Sequence, residues 1–290
     1  MKKSYLPFLI ISIVLVFIAC NKENDEVIID NTSTSARDNA TAENMFADIK
    51  KVVEEAADDE GQTSKNTGNP NKAGYTFGNC ATVSINPAWI DPNWPKVMEI
   101  DFGATNCTGV YGVNRRGKLI VTLTGKYRDS GTTLTIQTQD YYVNDIKVEG
   151  TKTITNNGYN SNNNLEFTVS VNNGQITYQN NTTTTWATTR TNEWVEGDST
   201  TLFTHGFAGI CDDVYLITGS ANGVNQKGNP YTVTITSPLR KEICCRWLVS
   251  GTLEIVPNGL DPRIVDFGSG DCDNQATVTI NNNTYNIPMF

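Results

Sequence analysis

Histidine is nearly missing: His205 is the single one in 290 residues. Ser–His–Asp or Cys–His catalysis and His-ligated metal centres have almost nothing to build on. Basic charge is short too, with 22 Lys and Arg against 31 Asp and Glu and a net charge of −9. A nucleic-acid partner requires a basic face to meet phosphate, so DNA and RNA are excluded as partners. Apolar residues (38%) and charged residues (18%) both fall a little below the usual globular shares, and Thr and Asn, 38 and 34 of them, fill the gap. Thr favours strands and Asn favours turns, which points to antiparallel β structure with many hairpins. The length fits one to two domains.

The long apolar run is confined to the start. Lys2 and Lys3 precede Leu6 to Ile18, and Ala19 precedes Cys20. This is the layout of an export leader, too short and too early for a spanning helix of the mature protein. Val16-Phe17-Ile18-Ala19-Cys20 resembles the lipobox of bacterial lipoproteins. That resemblance implies cleavage after residue 19 and acylation of Cys20 by a palmitate-type chain. Losing Lys2 and Lys3 with the leader lowers the charge to −11. The acidic stretch Asn21 to Glu26 resembles the surface-export signal of Bacteroidetes lipoproteins. The expected partner is therefore a membrane, reached through the lipid, and the expected location is the outer membrane facing the cell exterior. An acidic body is repelled by anionic headgroups, so the lipid would have to supply the attachment.

Residues 20–40 read as a polar tether. From 41 to 60 the apolar residues Ala42, Met45, Phe46, Ile49, Val52, Val53 and Ala56 recur at three- and four-residue steps, the stripe of one amphipathic helix capped near Asn39 or Thr41. Residues 74–290 read as a β domain, with β-rich stretches at 118–124, 132–138, 141–154, 165–171, 175–179, 214–218, 231–236, 247–256 and 276–280. Asn156-Asn157-Gly158, Asn172-Asn173-Gly174, Asn222-Gly223 and Asn258-Gly259 lie between them as predicted hairpin turns. The fold class is mainly β: an antiparallel meander with one N-terminal amphipathic helix. A large curved sheet, a sandwich and a partly closed barrel all fit the pattern.

Cys80 and Cys107 are 27 residues apart, as are Cys245 and Cys272. Ile100-Asp101-Phe102-Gly103 and Val265-Asp266-Phe267-Gly268 stand at the same offset inside the two intervals. Two related units, 80–115 and 245–285, follow. An exported chain meets an oxidising compartment. The equal intervals predict Cys80–Cys107 and Cys245–Cys272, leaving Cys211 for Cys244. A metal site would lack close Cys-x-x-Cys spacing and His support. Asp-Phe-Gly here comes without the Gly-rich and catalytic loops of kinases. Asp101, Phe102, Gly103, Asp266, Phe267 and Gly268 are therefore predicted structural turns, with Phe inward and Asp bonded to backbone amides.

The lipobox, the helix beginning Ala42-Glu43-Asn44-Met45-Phe46, Cys80, Ile100-Asp101-Phe102-Gly103, Cys107, Gly117-Lys118 and Tyr141-Tyr142-Val143-Asn144 resemble a group of uncharacterised Bacteroidetes lipoproteins. The resemblance implies lipid anchorage and carries no activity, catalytic residue or cofactor with it. Trp89, Trp94, Trp186 and Trp194 are candidate contacts for a glycan or protein ligand, since large rings on a rigid β scaffold stack well. Asp266, Asp271 and Asp273 match no calcium-loop pattern. The sequence predicts no catalytic residue, metal or cofactor. It favours a non-enzymatic binding or envelope-structural role; the competing reading is an extracellular hydrolase, for example a carbohydrate-active one, with a carboxylate site such as Asp58-Asp59, Asp212-Asp213 or Asp271 and Asp273.

Overall fold

A computed structural model describes residues 33–63, 75–200 and 211–289. The leader, Cys20 and His205 lie outside the described residues. Among the described residues one helix, α1 (Thr34–Thr63), precedes one antiparallel sheet of fourteen strands. The first strands are β1 (Thr82–Asn86), β2 (Lys96–Asp101), the two-residue β3 (Cys107–Thr108), β4 (Asn114–Leu123) and β5 (Thr133–Val143). The long central strands follow: β6 (Ile146–Tyr159), β7 (Leu165–Thr177), β8 (Thr183–Glu196), β9 (Val214–Val224) and β10 (Pro230–Glu242). β11 (Leu248–Pro257), β12 (Arg263–Ser269), β13 (Gln275–Ile280) and β14 (Asn283–Pro288) complete the sheet. Neighbours in sequence are neighbours in space throughout, with β3 set aside against β4. The fourteen strands form one continuous sheet that does not close, as expected of a large curved sheet or a partly closed barrel rather than of a two-sheet sandwich.

It is nevertheless strongly curved. Arg115 on β4 bonds Asp48, while the Tyr215 ring on β9 lies 5.6 Å from the Lys50 ammonium. Asp48 and Lys50 are separated by about 3 Å of helix rise. β4 and β9 are five strand spacings apart, about 24 Å on a flat sheet. Both reach one helix because the sheet curls around it.

The helix starts one to two turns earlier than its apolar stripe predicts, which shortens the 20–40 tether. Arg37 N–H donates to Ser33 O at 2.9 Å. Ser35, Asp38 and Asn39, which read as solvated linker, are buried. Asp38 accepts from the Gln226 backbone N–H and side-chain amide, both at 2.7 Å, and Ser35 Oγ accepts from Asn225 Nδ2 at 2.9 Å. These polar groups cap the docking of the helix on the β9–β10 turn rather than facing water. Below them Ala42, Phe46, Ile49, Val52, Val53 and Ala56 are each at most 1% exposed.

Three of the four predicted Asn-Gly turns are instead strand interiors. Asn156-Asn157-Gly158 lies in β6 and Asn172-Asn173-Gly174 in β7, each where the register slips, and Asn222-Gly223 lies in β9. Such bulges increase local twist and help a sheet curl. Asn258-Gly259 does turn the chain between β11 and β12. The tightest hairpins use Asn144-Asp145 (φ 49° and 64°) and Asn281-Asn282 (φ 50° and 62°), residue types that tolerate positive φ at both central positions. Asn144-Asp145 therefore splits the predicted 141–154 strand in two.

Candidate functional site

The face of the sheet turned to the helix holds more charge than an ordinary core. Asp48 pairs with Arg115, at 2.5 Å to Nη2 and 2.9 Å to Nε, and Glu43 pairs with Arg190 at 3.2 Å. Lys152 on β6 is buried and donates to the Phe46 carbonyl at 2.8 Å. Each of these bonds joins helix to sheet. They were missed in the sequence because a charged residue on an alternating strand reads as outward-facing until its helical partner is known.

Trp186 and Trp194, candidate ligand contacts in the sequence, belong to this interior, at 4% and 3% exposed. Trp186 donates its indole N–H to Asn39 Oδ1 at 2.9 Å, and its ring stacks on Phe46 at 5.6 Å. Trp194 packs between Phe167 and Tyr215, with the Arg128 guanidinium 4.5 Å from its ring. The Thr-rich run around them gave no sign that alternate positions of β8 point at a helix. Neither ring is offered to a ligand.

Trp89 and Trp94 are different. They flank the β1–β2 loop, half-buried, with their rings edge to face at 5.8 Å. Lys96, fully buried at the start of β2, sits beneath this loop. Its ammonium donates to Ala88 O at 2.8 Å and Asp91 O at 2.7 Å and lies 5.0 Å from the Trp94 ring. The three N–H groups are thus met by two carbonyls and a π face. Asp91 Oδ1 accepts from the Asn93 backbone and side-chain amides, both at 2.8 Å. The result is a rigid loop with Ile90 at its tip, 77% exposed. The inward alternation of Lys96, Met98 and Ile100 was the sequence signal that Lys96 turns under the loop.

Three disulfides join Cys80 to Cys107, Cys211 to Cys244 and Cys245 to Cys272, with Cα–Cα distances of 5.7, 4.8 and 5.7 Å. The two Asp-Phe-Gly words make the same local turn. Asp101 Oδ1 accepts from Gly103 N–H at 2.8 Å and Asp266 Oδ1 from Gly268 N–H at 2.9 Å, with glycine φ of 79° and 90°. Their hairpins differ: β1 pairs with β2 in unbroken register, whereas β11 and β12 slip between Ser250 and Thr252. The phenylalanines differ too. Phe102 is 3% exposed, against Phe77 and Tyr141, while Phe267 is half-buried. Phe102→Ala is therefore expected to cost about 3–5 kcal/mol, and Phe267→Ala clearly less. Urea unfolding of the two variants checks this; equal losses would contradict it.

Among the described residues no cluster of His, Cys, Asp or Glu can hold a metal ion. Asp266 is engaged with Gly268, and Asp273 accepts from Gln275 N–H at 2.8 Å. One carboxyl stands out. Burial, aided by Asp212, pushes Asp213 up to about 7 against the pull of Arg128 and Trp194. Its Oδ1 is buried and unpartnered. Burial likewise pushes Lys152 down to about 7, with Lys50 adding to the shift and Glu54 and Glu43 opposing it.

The signs give a pH prediction. An amine whose folded pKa is depressed loses stability as pH falls from about 10.5 to about 7, because the unfolded chain takes up the proton first. A carboxyl whose folded pKa is raised loses stability as pH rises from about 3.8 to about 7. Together these two groups place a stability minimum near neutrality. Lys152→Met, which fills the same space without charge, is expected to stabilise at neutral pH, the gap to wild type closing as pH rises toward 10.5. Denaturation across that range measures it; a constant gap would contradict the assignment.

On the face turned away from the helix, an open groove of about 1030 Å³ crosses β7 to β11. Thr185, Ala187, Asn222, Val224, Thr232 and Val256 floor it, alternating along their strands with inward-facing residues such as Trp186 and Tyr231. Asp261 is the one charged residue among those lining it. The geometry thus defines a curled, unclosed antiparallel sheet locked onto one helix by ion pairs of two buried arginines, Arg115 and Arg190, with partly exposed helix carboxylates. No protein-family model, curated protein or solved structure matches the chain.

Proposed function

We propose that the chain is a lipid-anchored outer-membrane protein, facing the cell exterior, with a non-enzymatic binding or envelope-structural role. The observation that carries this reading is the use made of the charges between helix and sheet. Asp38, Glu43, Asp48, Arg115, Lys152 and Arg190 all tie the helix to the sheet. Interior polar chemistry serves docking, while the Trp89–Trp94 loop and the outer groove, with Asp261 its one charged lining residue, are open to a ligand. Amide, hydroxyl and aromatic groups of this kind suit a glycan or protein ligand. Twelve residues separate Cys20 from Ser33, so the lipid holds the sheet through a short stretch of chain that ends in a locked helix.

The anchor has its own test. Cells fed an alkyne fatty acid are expected to label the wild-type chain and not Cys20→Ala; equal labelling of both sinks the reading. Protease added to intact cells should shave the wild type if the sheet faces outward. For the ligand, Trp89→Ala should weaken binding on a glycan array measured well below the variant's melting temperature. Asp213 favours the second reading, an extracellular hydrolase, since a raised carboxyl beside Asp212 has the character of a general acid. Turnover on a glycoside or ester panel that is abolished by Asp213→Asn would establish it.

A further inference from the structure

Antiparallel sheets guard their edges with lysines, prolines, bulges or very short strands, because an unpaired row of N–H and C=O groups invites another strand. β14, the last strand of this open sheet, has little of that protection. It pairs with β13 in unbroken register from Asn283 opposite Ile280 to Pro288 opposite Gln275. Proline stands at its final position alone, and Asn283 to Asn286 are all exposed. No charged residue occurs from Gln275 to Phe290, in a chain whose net charge is −9. Along the inward face, Val265 and Val278 are buried, but the next residue of that row, Tyr285 on the edge, is 44% exposed.

We propose that β14 is a docking edge for a second copy of this chain, the two β14 strands pairing antiparallel across a two-fold axis. Main-chain hydrogen bonds supply the attraction, as in other strand additions. Three observations select a second copy. Identical strands related by a two-fold axis meet in a self-complementary register without any further design. Two acidic bodies approach at least cost where neither carries charge, and the β13–β14 hairpin is such a place. The partner's edge also covers the open side of Tyr285 and extends the apolar row. The opposite edge, β1, lacks charge as well, but its neighbour β2 sets Glu99 and Asp101 beside it, opposite Ser84 and Thr82. Both pair with Lys118, which leaves one net negative charge per copy, so two copies meeting at β1 would set like charges toward one another, as they would not at β14.

Sedimentation equilibrium of the full-length chain in density-matched detergent tests this. The expected result is a mass that rises with concentration from one copy to two and stops. Thr284→Lys/Asn286→Lys puts like charges across the new strand pair and should hold the chain monomeric, with an unchanged melting temperature because both side chains are exposed. Thr82→Lys/Ser84→Lys at β1 should leave the dimer intact. A wild type that stays monomeric, a dimer that survives the β14 lysines, loss of the dimer in the β1 variant, or growth beyond two copies by head-to-tail pairing of β1 with β14 would each overturn the proposal.

Discussion

Asp48→Ala is expected to destabilise the protein by about 3–5 kcal/mol, the cost of leaving a buried guanidinium without its counter-charge. Asp48 gives both carboxylate oxygens to Arg115, whose side chain is 6% exposed. What remains to the guanidinium afterwards is one long bond to Phe77 O at 3.4 Å. The size of the loss comes from the stranded charge rather than from the ion pair itself. Adding Arg115→Met to Asp48→Ala should therefore recover part of it, since an apolar side chain of similar length replaces the desolvated cation. Guanidinium unfolding of the three variants gives the cycle. A double variant weaker than Asp48→Ala would show that the pair contributes through contacts other than charge.

Phe46→Ala is expected to cost about 3–5 kcal/mol as well, through lost transfer energy and a cavity that cannot collapse. Phe46 is 1% exposed and rests in a seat made by two glycines. A Cβ at Gly150 would come within 3.2 Å of Phe46 Cζ, and one at Gly174 within 3.2 Å of Cε2 and 2.4 Å of the Trp186 carbonyl. The bulges that bring these glycines together in β6 and β7 make the seat possible. Gly174→Ala should thus destabilise from the opposite side of the same contact, by displacing the ring or the strand. Thermal melts of both variants, monitored by tryptophan fluorescence, report the loss. A Phe46→Ala protein that melts like wild type would mean that the helix does not hold the sheet.

Much of this fold could be read from the chain. The three- and four-residue steps from Ala42 to Ala56 define the helix's apolar stripe, and all of those residues but the half-buried Met45 are buried. Alternation of β-branched residues marked most strands, and a chain rich in Thr and Asn became a meander. The equal cysteine intervals gave the pairs that the structure joins. What escaped did so for tertiary reasons. Ser35, Asp38 and Asn39 look like linker because their partners, Asn225, Gln226 and Trp186, lie about 150–190 residues away in sequence. Asn-Gly suits a tight turn, yet the same positive-φ tolerance suits a bulge, as at Asn173 with φ 52° inside β7. Trp186 and Trp194 could not be told from surface rings without knowing which face of β8 meets the helix. Lys96 and Lys152 violate the rule that lysine stays outside, and each is held there by main-chain carbonyls.

The central claim is that α1 and the sheet are one body, because α1 is locked inside the curl. Hydrogen exchange resolved to the α1 amides tests it most directly. The account predicts that the backbone amides from Phe46 to Ala56 exchange as slowly as those of β7 and β8, and open only with global unfolding. Fast exchange along α1 while β7 and β8 stay protected would contradict it, and would make the helix a passenger on a sheet that stands without it.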